Sequence, residues 1–287
     1  MNKRKKLWTS MQIAALAGFV TLEGCSSENE GGEGSEAGEA VLNAPAMLGT
    51  EGEGEGESEG ESEGESEGEG AETGTDLATN DLAYLTQLSL MRGHLFVGNA
   101  LFQAGHIEHA QTHMKHPKSE LYAEVVPAFE ARGADGFASE LELLAASVES
   151  GEPAETVAAN YEALRSAISK SESFVAETHA SVKEKLTLVV ELLRVAAEEY
   201  AIAVVDGKME NAHEYQDALG FTTVAKDIVN TSESDTGTEA AAIASAKKIL
   251  ADLAPMWPSL IPPETLETEA GQLYGAASRI EILALGL

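Results

Sequence analysis

The sequence predicts an all-α protein, a helical bundle built as one domain or two packed bundles, behind a disordered acidic tether. Three observations predict it. From residue 77 to residue 287, Ala, Leu, Glu and Val recur at three- and four-residue spacing, the period of a helix with one apolar face. Strand-like alternation is rare there, and aromatic side chains are only 5% of the chain, which argues against a sheet core rich in them. Ahead of that region, residues 26–76 hold almost no apolar side chains outside Val41–Leu48, so nothing offsets the entropy of ordering that backbone.

The helices follow from their punctuation. The first spans about Asn80 to Ala104 and stops at Gly105. The next runs from Gly105 to His116 and stops at Pro117, since an internal proline ends or kinks a helix. Ser119–Ala131 and Gly136–Ser150 come after it. Pro153 suits the first turn of a helix reaching about Ser169, because a first-turn proline gives up no helical hydrogen bond. Ser173–Val205 forms one long helix closed by Asp206-Gly207, and Glu210–Asn230 and Thr238–Ala254 follow. A proline-rich break from Pro255 to Pro263 precedes a last helix, Thr265–Leu285. Residues 77–287 are enough to bury a sizeable core. A boundary between two bundles would lie in 151–172, near Gly151 or Ser171, and no repeat of solenoid period is present.

The tether has its own physics. From Glu51 to Gly70 it is ten consecutive dipeptides, seven Glu-Gly and three Glu-Ser. Glycine loosens the backbone while the glutamates repel one another, so a coil of about 50 residues spans roughly 40 Å or more. It is a spacer.

Charge excludes several partners. The chain carries 49 acids and 18 bases, a formal net charge of −31. Residues 26–76 and residues 77–287 contribute −17 each, and residues 1–25 contribute +3. No nucleic acid is expected as a partner, because a phosphate backbone is held by clustered Lys and Arg.

The first residues set the address. Lys3, Arg4, Lys5 and Lys6 precede a mostly apolar stretch, Leu7–Thr21, long enough for a signal peptide and short of the ~20 residues that span a membrane. The stretch ends at Leu22-Glu23-Gly24-Cys25, which resembles the lipobox of bacterial lipoproteins. Glu23 departs from the usual small or apolar residue there. The resemblance implies a signal peptide over residues 1–24, a lipidated Cys25 opening the tether of residues 25–76, and a helical domain at 77–287. Cys25 is the only cysteine, so no disulfide forms within the chain. Ser26 after it resembles the signal for outer-membrane sorting. The expected location is the bacterial cell envelope, with a lipid bilayer as partner through the N-terminal lipid.

Histidine placement carries the chemical signal. Of seven histidines, His106, His109, His113 and His116 lie within eleven residues and share an arc of about 80° on a helix. Imidazole ligates zinc, copper and iron. The four flank the apolar stripe of Ala104, Ile107, Ala110 and Met114, so a metal or haem role and a partly exposed polar face both remain open. His94 points inward among Leu90, Met91, Gly98 and Leu101, with Gly98 making room. It is a satisfied core residue or, with Met91 as a soft neighbour, a ligand. In a third group, Glu210, His213, Glu214 and Asp217 continue the stripe that Phe221, Val224, Ala225 and Ile228 form. Carboxylates on a core face are costly unless paired. Glu210 and His213 make one Glu-x-x-His unit, whereas di-iron bundles need two. A single mixed His/carboxylate site is what this spacing allows. Motifs for attached haem, for a phosphate loop and for a nucleophile elbow are missing.

The second half, with Glu191-Leu192-Leu193-Arg194, Tyr200, Val205-Asp206-Gly207-Lys208, Glu214-Tyr215 and Phe221, is similar to the helical extracytoplasmic segment accompanying Ftr-type iron permeases. Ala201 stands where that family's motif has proline, and the permease's Arg-Glu-x-x-Glu signature does not occur. The resemblance implies a helical domain and carries over Glu214 and Tyr215. The first half, with Met91-Arg92-Gly93-His94-Leu95 and His116-Pro117 before Glu120-Leu121-Tyr122, loosely resembles imelysin-like exported iron-uptake lipoproteins, without their Gly-x-His-x-x-Glu motif. The function expected is a non-enzymatic, lipid-anchored protein that binds iron or copper for a metal transporter or for storage. A structural or adaptor lipoprotein is the alternative.

Overall fold

The computed structural model describes residues 76–175 and 181–287, and among these the secondary structure is nine α-helices with one short hairpin. Helix α1 is Asp81–Gln103, α2 Ile107–His116, α3 Tyr122–Arg132, α4 Ala138–Glu149 and α5 Ala154–Glu172. Then come α6, Val182–Ala203, α7, Ala212–Asn230, α8, Gly237–Ala251, and α9, Gly271–Leu285. The all-α class stands. Cys25 and the tether lie outside the described residues.

Local chemistry starts these helices where it should. Asn80, Ser181, Asn211 and Thr236 each cap a helix, the side-chain oxygen accepting a backbone N–H of the first turn. The ends differ from the sequence expectation in four places. Pro117 does not stop the chain's helical path: Pro117–Leu121 form a π-helical turn, closed by Tyr122 N–H on the Pro117 carbonyl, and α3 continues from it. Proline is tolerated there because it opens the turn, where its missing N–H is not needed. Pro153 sits at the N-cap with extended backbone (ψ 144°) and not in the first turn. The long helix begins only at Val182, after Ser181 caps it. The last helix begins at Gly271, six residues after Thr265.

A further boundary, between α6 and α7, holds the hairpin. Val204–Val205 (β1) pairs antiparallel with Lys208–Met209 (β2). Asp206 and Gly207 both take positive φ, 51° and 76°, the two-residue turn that Asp-Gly favours between right-twisted strands. Lys208 bridges to Thr265, and Met209 N–H donates to the Glu264 carbonyl at 2.9 Å. The hairpin thereby ties the proline-rich segment to the start of α7.

Packing centres on α1, α6 and α7. Helix α7 lies between α1 and α6, and α9 covers α6. Tyr84, Leu88, Leu95, Leu192, Leu193, Tyr200, Tyr215 and Phe221 are fully or almost fully buried between these elements. In the N-terminal half, Arg132 draws three segments together. Its guanidinium donates to the carbonyls of Leu77 and Phe174, pairs with Asp81 and lies 4.3 Å over the Tyr84 ring. The Tyr84 hydroxyl donates to the Ser171 carbonyl at 3.0 Å. Both sides of Gly151 and of Ser171 belong to one compact unit. No helix of the described residues is long and apolar enough to cross a membrane.

Two glycines decide how close α1 and α7 come. A Cβ on Gly220 would stand 2.5 Å from the Gly93 carbonyl oxygen, and one on Gly93 would stand 2.5 Å from Phe221 Cδ1. Gly220→Ala is therefore expected to destabilise the protein by about 1–3 kcal/mol through overpacking, although alanine is the better helix former by about 1 kcal/mol. Gly275→Ala on exposed α9, where the new methyl meets nothing within 4 Å, is expected to stabilise by about 0.5–1 kcal/mol. Urea denaturation of the two variants checks the opposite signs.

Candidate metal centre

The backbone contact between α1 and α7 places neighbouring polar side chains against each other. His94 follows Gly93, and Asp217 lies one residue short of a full turn before Gly220. His94 Nδ1 is 2.6 Å from Asp217 Oδ1, and both side chains are fully buried. Phe221 sets its ring edge against His94, with centroids 5.0 Å apart. Gly98 does the same for α2: a Cβ there would meet Met114 Cγ at 2.8 Å and His113 Cβ at 3.3 Å. That closeness brings His113 Nδ1 to 3.0 Å from the same Asp217 oxygen.

The first turns of α7 supply the rest. Asn211 caps the helix by accepting the N–H groups of His213 and Glu214, and its amide donates to Glu214 Oε1. A carboxylate in a helix's first turn is favoured by the helix dipole. His213 Nδ1 lies 3.1 Å from Asp217 Oδ2 and 4.0 Å from Glu214 Oε2. Its ring stacks on His113 with centroids 4.1 Å apart and planes 5° from parallel. His116 lies with its ring centroid 4.7 Å from that of His94 and 5.7 Å from that of His213. Four imidazoles and two carboxylates thus converge from α1, α2 and α7.

Gln216 closes one side. Its Oε1 faces His113 Nε2 at 2.9 Å, while its amide nitrogen donates to the Leu260 carbonyl at 3.2 Å. The second bond fixes which end of the amide meets the histidine.

The electrostatics follow from burial and from Asp217. Burial pushes the His113 pKa down, against the charge and hydrogen bond of Asp217. Burial also acts to lower His213, but the hydrogen bond and charge of Asp217, with the charge of Glu214, outweigh it and raise the value. For Asp217 burial alone would raise the pKa. The charges of His94 and His113 and the hydrogen bonds from His113 and His213 instead hold it well below the usual carboxylate range.

Two donor sets have their ligand atoms within 4.8 Å of one another: His94, His113 and Asp217, and His213, Glu214 and Asp217. His213 Nε2 is buried without a hydrogen bond among the described residues. Nitrogen and carboxylate donors in this mixture suit a divalent transition metal. The cluster has the composition of a metal site.

The other sequence candidates lie elsewhere. His106 and His109 are exposed. His106 is the N-cap of α2 and off the helix, so the helical arc drawn for four histidines does not include it. His109 is in the first turn of α2, and the ring contacts with α7 come from His113 and His116 in its second half. Glu210 is exposed and precedes the α7 cap Asn211, which takes it out of register with His213. Met91 is fully buried in the apolar core. Sequence inspection missed Gln216, whose position beside Asp217 is its only signal, and missed the Gly93/Gly220 contact.

Comparison with known proteins locates part of this arrangement. Residues 175–284 match the family of the iron permease-associated 4-helix bundle domain, and the stretch from Glu191 to Phe221 that carries the Ftr-type likeness lies inside it. No curated protein and no solved structure matches the chain. The likeness of the first half to imelysin-like proteins has no counterpart in these comparisons. His213, Glu214 and Asp217 fall within the matched segment, and His94, His113 and His116 fall outside it.

Because the folded pKa of Asp217 is below its unfolded value, the stability it adds is complete above the unfolded value of about 4 and is lost as pH falls through the folded one. Removing one partner of a buried charge pair costs about 3–5 kcal/mol. Asp217→Asn is expected to lower stability by about that much at neutral pH, and the gap to wild type is expected to close below about pH 4. Urea melts at stepped pH measure both.

Proposed function

We propose that this protein is a non-enzymatic accessory of iron uptake or storage, held at the bacterial envelope by a lipid on Cys25, that binds iron in the cluster around Asp217. One observation carries the metal reading: the buried His94, His113, Glu214 and Asp217 and the half-buried His116 and His213 come together from three helices. Such a concentration of imidazole and carboxylate is expensive inside an apolar bundle and is expected only where it serves a purpose. The name of the domain that residues 175–284 match supports a role beside an iron permease, and a transport role over a catalytic one. The donors support iron over copper, since Met91, the soft ligand that would favour Cu(I), is in the apolar core. The lipid anchor rests on Leu22–Cys25 alone.

The test of the metal reading uses the full chain, purified without a His tag and dialysed. Anaerobic titration with Fe(II) is expected to show binding that the His94→Ala/His213→Ala double variant loses. No uptake by wild type overturns the reading in favour of a structural or adaptor protein. A protonated imidazole cannot ligate, and His213 holds its proton to a higher pH than usual. Fe(II) binding is therefore expected to strengthen as pH rises, and to be weaker at about pH 6 than at about pH 8. The anchor is tested separately: labelled palmitate is expected to enter wild type and not Cys25→Ser.

A further inference from the structure

Gln216 is fully buried beside Asp217 on α7, and its amide has one end that donates and one that accepts. We infer that Gln216 is a positioning residue: it fixes the tautomer of His113, so that His113 Nδ1 and Asp217 Oδ1 bind the ion as neighbouring ligands. This rests on the metal reading above.

The amide cannot be turned around. The Leu260 carbonyl only accepts, so the end of Gln216 that meets it, at 3.2 Å, is the nitrogen. The backbone there is held in place, since the Tyr215 hydroxyl donates to the preceding carbonyl, that of Ser259, at 2.8 Å. Oε1 is left for His113, and Oε1 also only accepts. His113 Nε2, 2.9 Å away, is therefore the nitrogen that carries the hydrogen. A ligating histidine commonly gives its other N–H to a carbonyl or carboxylate, which sets the orientation of the ring and makes the bare nitrogen the better donor. Gln216 stands in that place.

The other nitrogen faces Asp217. A neutral imidazole has one N–H and one lone pair, so with the hydrogen on Nε2 the lone pair is on Nδ1, which lies 3.0 Å from Asp217 Oδ1. Both side chains are fully buried, and two electron-rich atoms that close in such a place need a positive group between them. In the free protein that group is a second proton on His113. In the loaded protein it is the ion, which displaces the proton to water. Ligands about 2.1 Å from a metal stand about 3.0 Å apart in octahedral geometry, so this pair shares an ion without rearrangement. It belongs to the group of His94, His113 and Asp217, whose donor atoms lie within 4.8 Å of one another. His94 is 2.6 Å from the same oxygen, nearer than two such ligands stand and the length of a charge-assisted hydrogen bond, and it orients the carboxylate. Stacking on His213, with centroids 4.1 Å apart, holds the plane of the His113 ring.

Magnetic resonance of the imidazole nitrogens and anaerobic Fe(II) titration, both on the full chain, test the assignment. In metal-free wild type, His113 is expected to carry hydrogen on Nε2, and a bare Nε2 overturns the assignment. His113→Ala and Gln216→Ala are each expected to weaken Fe(II) binding by about tenfold or more. Gln216→Glu keeps an acceptor for His113 and gives up the donor to Leu260. It is expected to recover most of the loss, which a merely structural role for Gln216 would not allow. Folding is checked for each variant by circular dichroism. A folded His113→Ala or Gln216→Ala weakened by less than about tenfold, or a folded Gln216→Glu no better than Gln216→Ala, overturns the assignment while leaving the metal reading in place. Should a variant fail to fold, the wild-type tautomer decides: hydrogen on Nε2 supports the assignment and a bare Nε2 overturns it. Absence of Fe(II) binding by wild type removes both.

Discussion

The closeness of α1 and α7 at Gly93 and Gly220 is the constraint on which the cluster depends. Two backbones meet there with no side chain between them, and that contact sets how far His94 stands from Asp217. A separation greater by one methyl group would turn a short hydrogen bond into two buried polar groups without each other, each worth about 1–3 kcal/mol of lost solvation. Gly98 repeats the device for α2 and His113. The glycines contribute nothing to the chemistry and determine whether it can occur.

Given that contact, Asp217 must be paired, and the surrounding chain is arranged to pair it. Helix α1 supplies His94, α2 supplies His113, and α7 supplies His213 one turn before Asp217 itself. Opposite pKa displacements in neighbouring histidines follow from small differences in position. His113 lies deep enough that burial dominates, while His213, part exposed at the helix start, is governed by two carboxylates. The same residue type is thereby pushed in opposite directions a stacking distance apart. The Asp-Gly hairpin contributes from outside the cluster, since it anchors the segment whose Leu260 carbonyl holds Gln216 in place.

Most of the fold was legible because helix periodicity and caps are local. The stripe of Phe221, Val224 and Ala225 and the polar group ahead of it sit on one face of α7, as their spacing implies, and His94 is buried as its neighbours imply. What was not legible depended on partners distant in sequence. No local signal tells that His113 and His116 turn inward while His106 and His109 remain at the surface, because α7 decides it. Pro117 shows the limit of a composition rule, since a π-helical turn absorbs a proline that would stop an α-helix. The hairpin was written plainly in Val-Val-Asp-Gly-Lys-Met and was overridden by the helical pattern on both sides.

The border of the family match runs between the two halves of the cluster, with the carboxylates on one side and three of the four imidazoles on the other. A chain that inherited the bundle without α1 and α2 would keep an aspartate with most of its bases removed. That carboxyl would then be wet, protonated or replaced. The two parts of this protein are consequently coupled, since a side chain at Gly98 on one side would press on His113, which faces Asp217 on the other. The cluster reaches beyond the segment that the family match covers.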